Sequence, residues 1–170
     1  MGHDKILQRP KIQSFSSVRF RHDDLSLFEP LTSPEARDGT SYFELHPKEL
    51  PRPHSCWLPG SFFVSDVAFD FFAKCFHSAS ESFDYYAFQR FGEPEIARLA
   101  QELDGFLCDI EVAPSRERLF SRHLSIFTPA VWSDIEQQAL AHAVRQCGKK
   151  MLSFVQSTTQ ESQCLWVLGM

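Results

Sequence analysis

The segment Phe83–Leu107, FDYYAFQRFGEPEIARLAQELDGFL, constrains the fold more than any other part of the chain. Its aromatic start suits a pleated, half-buried surface and predicts a strand over Phe83–Phe88. Gly92 follows, and Pro94 stands in the first turn of a helix, where a missing N–H is harmless. Ile96, Leu99, Ala100, Leu103 and Leu107 then recur at helical spacing, while Glu95, Arg98, Gln101, Glu102 and Asp104 face away. Gly105 predicts the end of that helix.

The flanking sequence supplies the remaining elements. SYFEL (Ser41–Leu45) predicts a strand, ended by His46-Pro47 because a residue before proline is pushed towards extended geometry. Pro51, Pro53 and Pro59 make 46–60 an irregular crossing, with Trp57 and Leu58 pinning it to the core. Ser65–Phe76 predicts a largely buried helix with Ser65 as N-cap, since Val67, Phe71 and Cys75 are four apart and Ala68, Phe69, Phe72 and Phe76 widen the face. Over 108–127 the alternation of Cys108, Ile110 and Val112 is strand-like, whereas the basic stretch after Pro114 fits either helix or strand. Thr128-Pro129 signals a further helix with a stripe of Val131, Trp132, Ile135, Ala139, Ala143 and Cys147. Gly148 weakens its continuation, and Met151–Val155 either resumes it or folds back. CLWVL (Cys164–Leu168) closes the chain as a buried strand. Ile12–Phe20 reads as an extended edge segment and Leu25–Gly39 as irregular. The expected fold class is α+β, a small, mostly antiparallel sheet packed with three or four helices. It forms a single domain over 12–170 behind a flexible arm over 1–11.

Composition narrows the function classes. Phenylalanine is the outlier, 17 residues against 3 Tyr and 3 Trp, which predicts a core built on rings or, in part, an exposed partner patch. The net charge of −5 argues against a nucleic-acid binder, which needs clustered Lys and Arg, and suits a basic partner. Five dispersed cysteines with no CxxC pair predict reduced thiols in a cytoplasmic protein. The opening MGHDKILQRPKIQ has no apolar stretch of the kind a secretory leader needs. The apolar run Phe62–Phe76 is interrupted by Asp66, Asp70 and Lys74, so no membrane association is expected. No feature sets an oligomeric state.

The chemistry-bearing residues form no complete motif. The histidines, among them His46, His54, His123 and His142, show no HExxH or HxH spacing and read as surface or loop residues, so no metal is expected. With seven glycines and no phosphate-cradling motif, no cofactor is expected either. Asp66 and Asp70 share a helix face, which suits acid–base work or, more simply, the wet side of an amphipathic helix. Cys56, in a loop beside His54 and Trp57, is the candidate nucleophile of a small cysteine-dependent enzyme. Arg116, Arg118, Arg122 and His123 could meet a phosphate or RNA backbone, or form a solvated face that pairs with local acids.

Three stretches together carry a resemblance: the opening SYFELHPKEL, the FDYY run followed by PEIARLAQELDGF, and the terminal LWVLGM. Over residues 41–170 this layout resembles small bacterial immunity proteins of polymorphic-toxin systems, partners in contact-dependent inhibition or type VI secretion. The resemblance implies a non-enzymatic cytoplasmic protein that binds and blocks a cognate toxin, and it transfers no functional residue. An acidic surface would suit a basic nuclease toxin. The candidate partner-binding residues are Glu93, Glu95, Glu102 and Asp104 on the helix exterior, with Tyr85 and Tyr86 as aromatic anchors. A peptide-binding adaptor with a Phe-rich groove is the other non-enzymatic alternative.

Overall fold

A computed structural model describes residues 19–50, 55–123, 129–161 and 164–169. The expected arm over 1–11 and most of the edge segment Ile12–Phe20 lie outside them. The fold is α+β. Its strands are β1 (Tyr42–His46), β2 (Phe62–Ser65), β3 (Phe88–Gly92) and β4 (Cys164–Leu168). Its helices are α1 (Asp66–Phe69), α2 (Ala73–Ala79), α3 (Glu93–Val112), α4 (Arg116–Leu119) and α5 (Gln137–Glu161). The four strands form one sheet in the order β2-β1-β4-β3, antiparallel throughout, so the last strand is inserted between the first and the third.

The two-residue period of the strands divides their side chains between two different environments. Phe43 and Leu45 of β1, Phe62 and Val64 of β2, Leu165 and Val167 of β4 and Phe91 of β3 face the helices and are buried. There Phe43 stacks on Phe69 of α1 at 3.7 Å between ring centroids, and Phe62 stacks on Phe154 of α5 at 5.2 Å. The opposite face carries Phe63, Glu44, Leu168 and Phe88 in one cross-strand row, with His46, Trp166 and Arg90 in the next.

Several local expectations give way to long-range packing. The strand predicted over Phe83–Phe88 begins only at Phe88. Residues 83–87 form turns in which Asp84 Oδ1 accepts from Tyr86 N–H at 2.9 Å and Gln89 Oε1 accepts from Asp84 N–H at 2.9 Å. Phe83 and Tyr85 are buried while Asp84 and Tyr86 are exposed, so the turn has the in-out alternation that a strand would show. The predicted helix Ser65–Phe76 does start on a Ser65 cap, whose hydroxyl accepts from Ala68 N–H at 3.1 Å. It then tightens at 70–72, where Phe71 and Phe72 donate three residues back, and restarts as α2. The break lets Lys74 N–H reach Arg122 O at 3.1 Å.

Pro94 opens α3 as predicted, and Glu95 reaches back to accept from Gly92 N–H at 2.7 Å. Gly105 does not end the helix. The stripe continues through Phe106, Leu107 and Ile110, all buried, because α3 lies along α5 for most of its length. Ile110 therefore belongs to a helix, and the strand-like reading of 108–112 is incorrect. Thr128 lies outside the described residues. Pro129–Trp132 forms a short 3-10 turn, and the long helix begins only at Gln137, running unbroken through Gly148.

Gly148 is the close contact between α5 and its neighbours. A Cβ there would stand 2.7 Å from Leu107 Cδ2 and 2.8 Å from Phe72 Cε1. A Cβ at Gly105 would meet nothing within 4 Å. Gly105→Ala should therefore stabilise the protein by about 0.5–1 kcal/mol through helix propensity. Gly148→Ala should destabilise it by about 1–3 kcal/mol despite the same propensity gain, through overpacking. Urea unfolding of both variants checks this; equal stabilisation by the two would refute the helix contact.

Candidate functional site

The outer face of the sheet holds an acid where an amphipathic sheet would bury only apolar groups. Glu44, central in β1, is completely buried. The loop 55–61 folds across the face and supplies its donors. Glu44 Oε1 accepts from Leu58 N–H at 2.8 Å and from Ser61 Oγ–H at 2.6 Å, and Oε2 accepts from Trp57 N–H at 2.5 Å. Two backbone amides and a hydroxyl thus satisfy a carboxylate that has lost its water.

The loop adopts this shape at some conformational cost. Trp57 lies in the left-handed region at φ 66°, which for a side chain with a Cβ costs about 1–2 kcal/mol. Its ring is held by the Arg37 guanidinium, 3.5 Å from the ring centroid, and lies beside Phe63. Arg37 is itself anchored by bonds to Pro34 O at 3.0 Å and Gly39 O at 3.3 Å. The expectation that Trp57 and Leu58 pin the loop is met, through their amides as much as their side chains.

Ser61, His46 and Glu44 make a chain of hydrogen bonds with a fixed polarity. A carboxylate only accepts, so the Ser61 proton points to Glu44. His46 Nδ1, 2.9 Å from Ser61 Oγ, must then donate to it. In a hydrolytic triad the serine would instead donate to the imidazole. Ser61 is buried and its proton is directed away from the histidine, so this arrangement organises the loop and does not activate a nucleophile. His46, expected at the surface, is buried in β1. Burial lowers its pKa, an effect opposed by the Glu44 charge and reinforced by Lys48.

Between the loop and the last two strands is a cavity of about 270 Å³, lined by Glu44, Cys56, Trp57, Phe88, Leu168 and Gly169. Gly169 is required there, since a Cβ would fall 2.0 Å from Tyr85 O. Cys56 is half-buried on this cavity; its proposed partner His54 lies outside the described residues. Cys75 and Cys147 are in the core as expected, and burial pushes both thiols up to about 12, away from thiolate chemistry.

The predicted partner-binding residues divide into two groups. Tyr86 is 69% exposed, and Glu93 and Asp104 are exposed on α3. Tyr85 is buried edge-on against Phe43 with ring centroids 4.5 Å apart, and that burial raises its hydroxyl pKa well above the tyrosine range. Glu95 caps α3, and Glu102 pairs with Arg122 at 3.1 Å. Arg116 of the basic cluster is turned partly inward, whereas Arg118 is exposed and ties α4 back to α3. Arg116 donates to Trp132 O and Ile135 O, each at 3.1 Å, and Arg118 donates to Asp109 O at 3.1 Å. Asp70 and His123 are both buried and meet at 2.7 Å, so Asp70 is not on a wet helix face and His123 is not a surface residue. Asp66 is only part-buried and accepts from Val67 N–H at 2.7 Å.

Among the described residues no group of three His, Cys, Asp or Glu side chains could hold a metal ion, and no helix is long and apolar enough to cross a membrane. No protein-family model, curated protein or solved structure matches the chain.

The buried imidazole makes stability depend on pH. Because His46 is held below its ordinary value of 6.5, the unfolded chain takes up the proton first as pH falls. The stabilisation is complete above about pH 6.5 and declines below it. Asp66, raised mainly by burial, acts in the opposite sense, and comparing variants cancels it. The urea midpoint of the native protein should fall between about pH 7.5 and about pH 5.5 more steeply than that of His46→Gln, whose amide keeps a donor for Ser61. Identical slopes would contradict a neutral buried His46.

Proposed function

We propose that this chain is a cytoplasmic immunity protein that binds a cognate bacterial toxin and neutralises it by protein–protein contact, a basic nuclease being the toxin class it suits best. The observation that supports this reading is the exposure of two large aromatic side chains on a protein whose other rings, among the described residues, face the interior. Tyr86 and Phe88, 69% and 43% exposed, stand just before and at the start of β3, one of the two edge strands of the sheet. That strand runs directly into α3, whose first turn presents Glu93 and whose outer face presents Asp104. Large aromatic side chains are enriched at protein interfaces, and tyrosine among the residues that dominate their binding energy. A net charge of −5 would speed the encounter with a basic partner.

The Phe-rich groove of the adaptor reading has less support. Phe88 is the one phenylalanine exposed to this degree among the described residues; the rings otherwise face the interior.

Co-expression with the toxin encoded beside it should yield a stoichiometric complex and restore growth. Tyr86→Ala with Phe88→Ala should weaken that complex by about 2 kcal/mol or more. Asp104→Lys should mainly slow association and flatten its salt dependence. A toxin that neither co-purifies with this protein nor is relieved by it would overturn the reading.

A further inference from the structure

We propose that the cavity on the outer face of the sheet receives one basic side chain, a guanidinium or ammonium on an apolar stem, presented by the protein partner, with Glu44 as its counter-charge. The inference rests on the protein-binding reading and specifies what the partner inserts.

Glu44 carries a charge that no opposite charge among the described residues balances. The three donors to Glu44 are all neutral, and Glu44 makes no ion pair among the described residues. Among the described residues, Arg90 is committed to Glu49 at 2.8 Å, Arg37 to the Trp57 ring and two carbonyls, and Lys48 is exposed and makes no ion pair with Glu44. A carboxylate offers about four lone-pair positions, and three are occupied. A buried charge satisfied only by neutral donors still lacks the compensation that an opposite charge provides.

The cavity has the shape and lining for such a group. Among the described residues its walls are Trp57, Phe88, Leu168, Cys56 and Gly169, with Glu44 the one charged residue. Lys and Arg bury their methylene stems along apolar surface, and their heads are attracted to aromatic faces. An anion would be repelled by Glu44, and an apolar side chain would leave its charge uncompensated. Phe88, at the rim, also belongs to the exposed aromatic pair, so the cavity opens on the surface proposed for the partner.

The probe is n-butylguanidinium, titrated into the intact protein by NMR, with n-butylurea as its uncharged counterpart. We expect saturable shifts at Trp57, Phe88 and Leu168 and affinity for the urea lower by about tenfold or more. The probe should also slow alkylation of Cys56 by iodoacetamide while leaving Cys108, exposed on α3, unaffected. Phe88→Ala should weaken binding, and Glu44→Gln should abolish the preference for the cation. If Glu44→Gln does not fold, prior carbamidomethylation of Cys56 in a Cys108→Ser background should block the probe instead. In the complex, the partner should protect Cys56 as the probe does.

Equal binding of the guanidinium and the urea, or no shift at these residues, would overturn the proposal. So would a complex that leaves Cys56 fully reactive. The probe is tested without any toxin, so the two readings fail separately. Growth rescue without probe binding removes the basic-side-chain pocket, and probe binding without rescue removes the toxin reading.

Discussion

A carboxylate buried in the middle of a sheet must be satisfied where the strand places it, and that requirement shapes the outer layer of this protein. Glu44 alternates with Phe43 and Leu45, so burying those two against the helices directs Glu44 to the opposite face. Among the described residues no regular element covers that face. The loop 55–61, in the last part of the proline-rich crossing, does so by turning the amides of Trp57 and Leu58 onto the carboxylate. The positive φ of Trp57, the Arg37 guanidinium on its ring and the donation from His46 to Ser61 are all consequences of that geometry. Leaving the donors of a buried carboxylate unmatched costs about 1–3 kcal/mol per group, enough to offset the strain at Trp57.

The helical side follows a related rule. Asp70 and His123 close a buried pair where the α1–α2 connection tightens, and Lys74 N–H bonds Arg122 O one residue away. The three arginines between α3 and α5 in sequence bind carbonyls and Glu102, Arg118 doing so while exposed. What looks in sequence like a basic patch is a set of ties between an irregular connection and the ends of neighbouring elements. This leaves the outward acids of α3 and the exposed rings of Tyr86 and Phe88 as the surfaces on which the proposed partner would dock.

The parts of the fold that were legible in the sequence are those governed by local rules. Pro94 set the start of α3, Ser65 capped α1, and CLWVL formed the closing strand, because caps, proline geometry and apolar runs act over a few residues. The failures share one physical cause. Gly105 and Gly148 weaken helices intrinsically, yet the apposition of α3 and α5 outweighs the propensity loss of about 1 kcal/mol at each. The turn 83–87 has the burial alternation of a strand. The candidate site was less legible than the fold. Glu44 appeared only as a polar residue of correct parity in SYFEL, and its donors lie 13 to 17 residues away, a separation that carries no periodic signal. Tyr85 and Tyr86 are adjacent and chemically alike, and only the tertiary fold separates the exposed ring from the buried one.

The central claim is that the Glu44 carboxylate holds the loop 55–61 against the sheet. Amide hydrogen exchange tests it most directly. In the native protein the Trp57 and Leu58 amides should be protected. In Glu44→Gln, where one carboxylate oxygen becomes a donor, that protection should fall by about 10-fold or more, while the β1–β4 ladder amides keep theirs. Fast exchange at Trp57 and Leu58 in the native protein, or unchanged protection in the variant, would contradict the account.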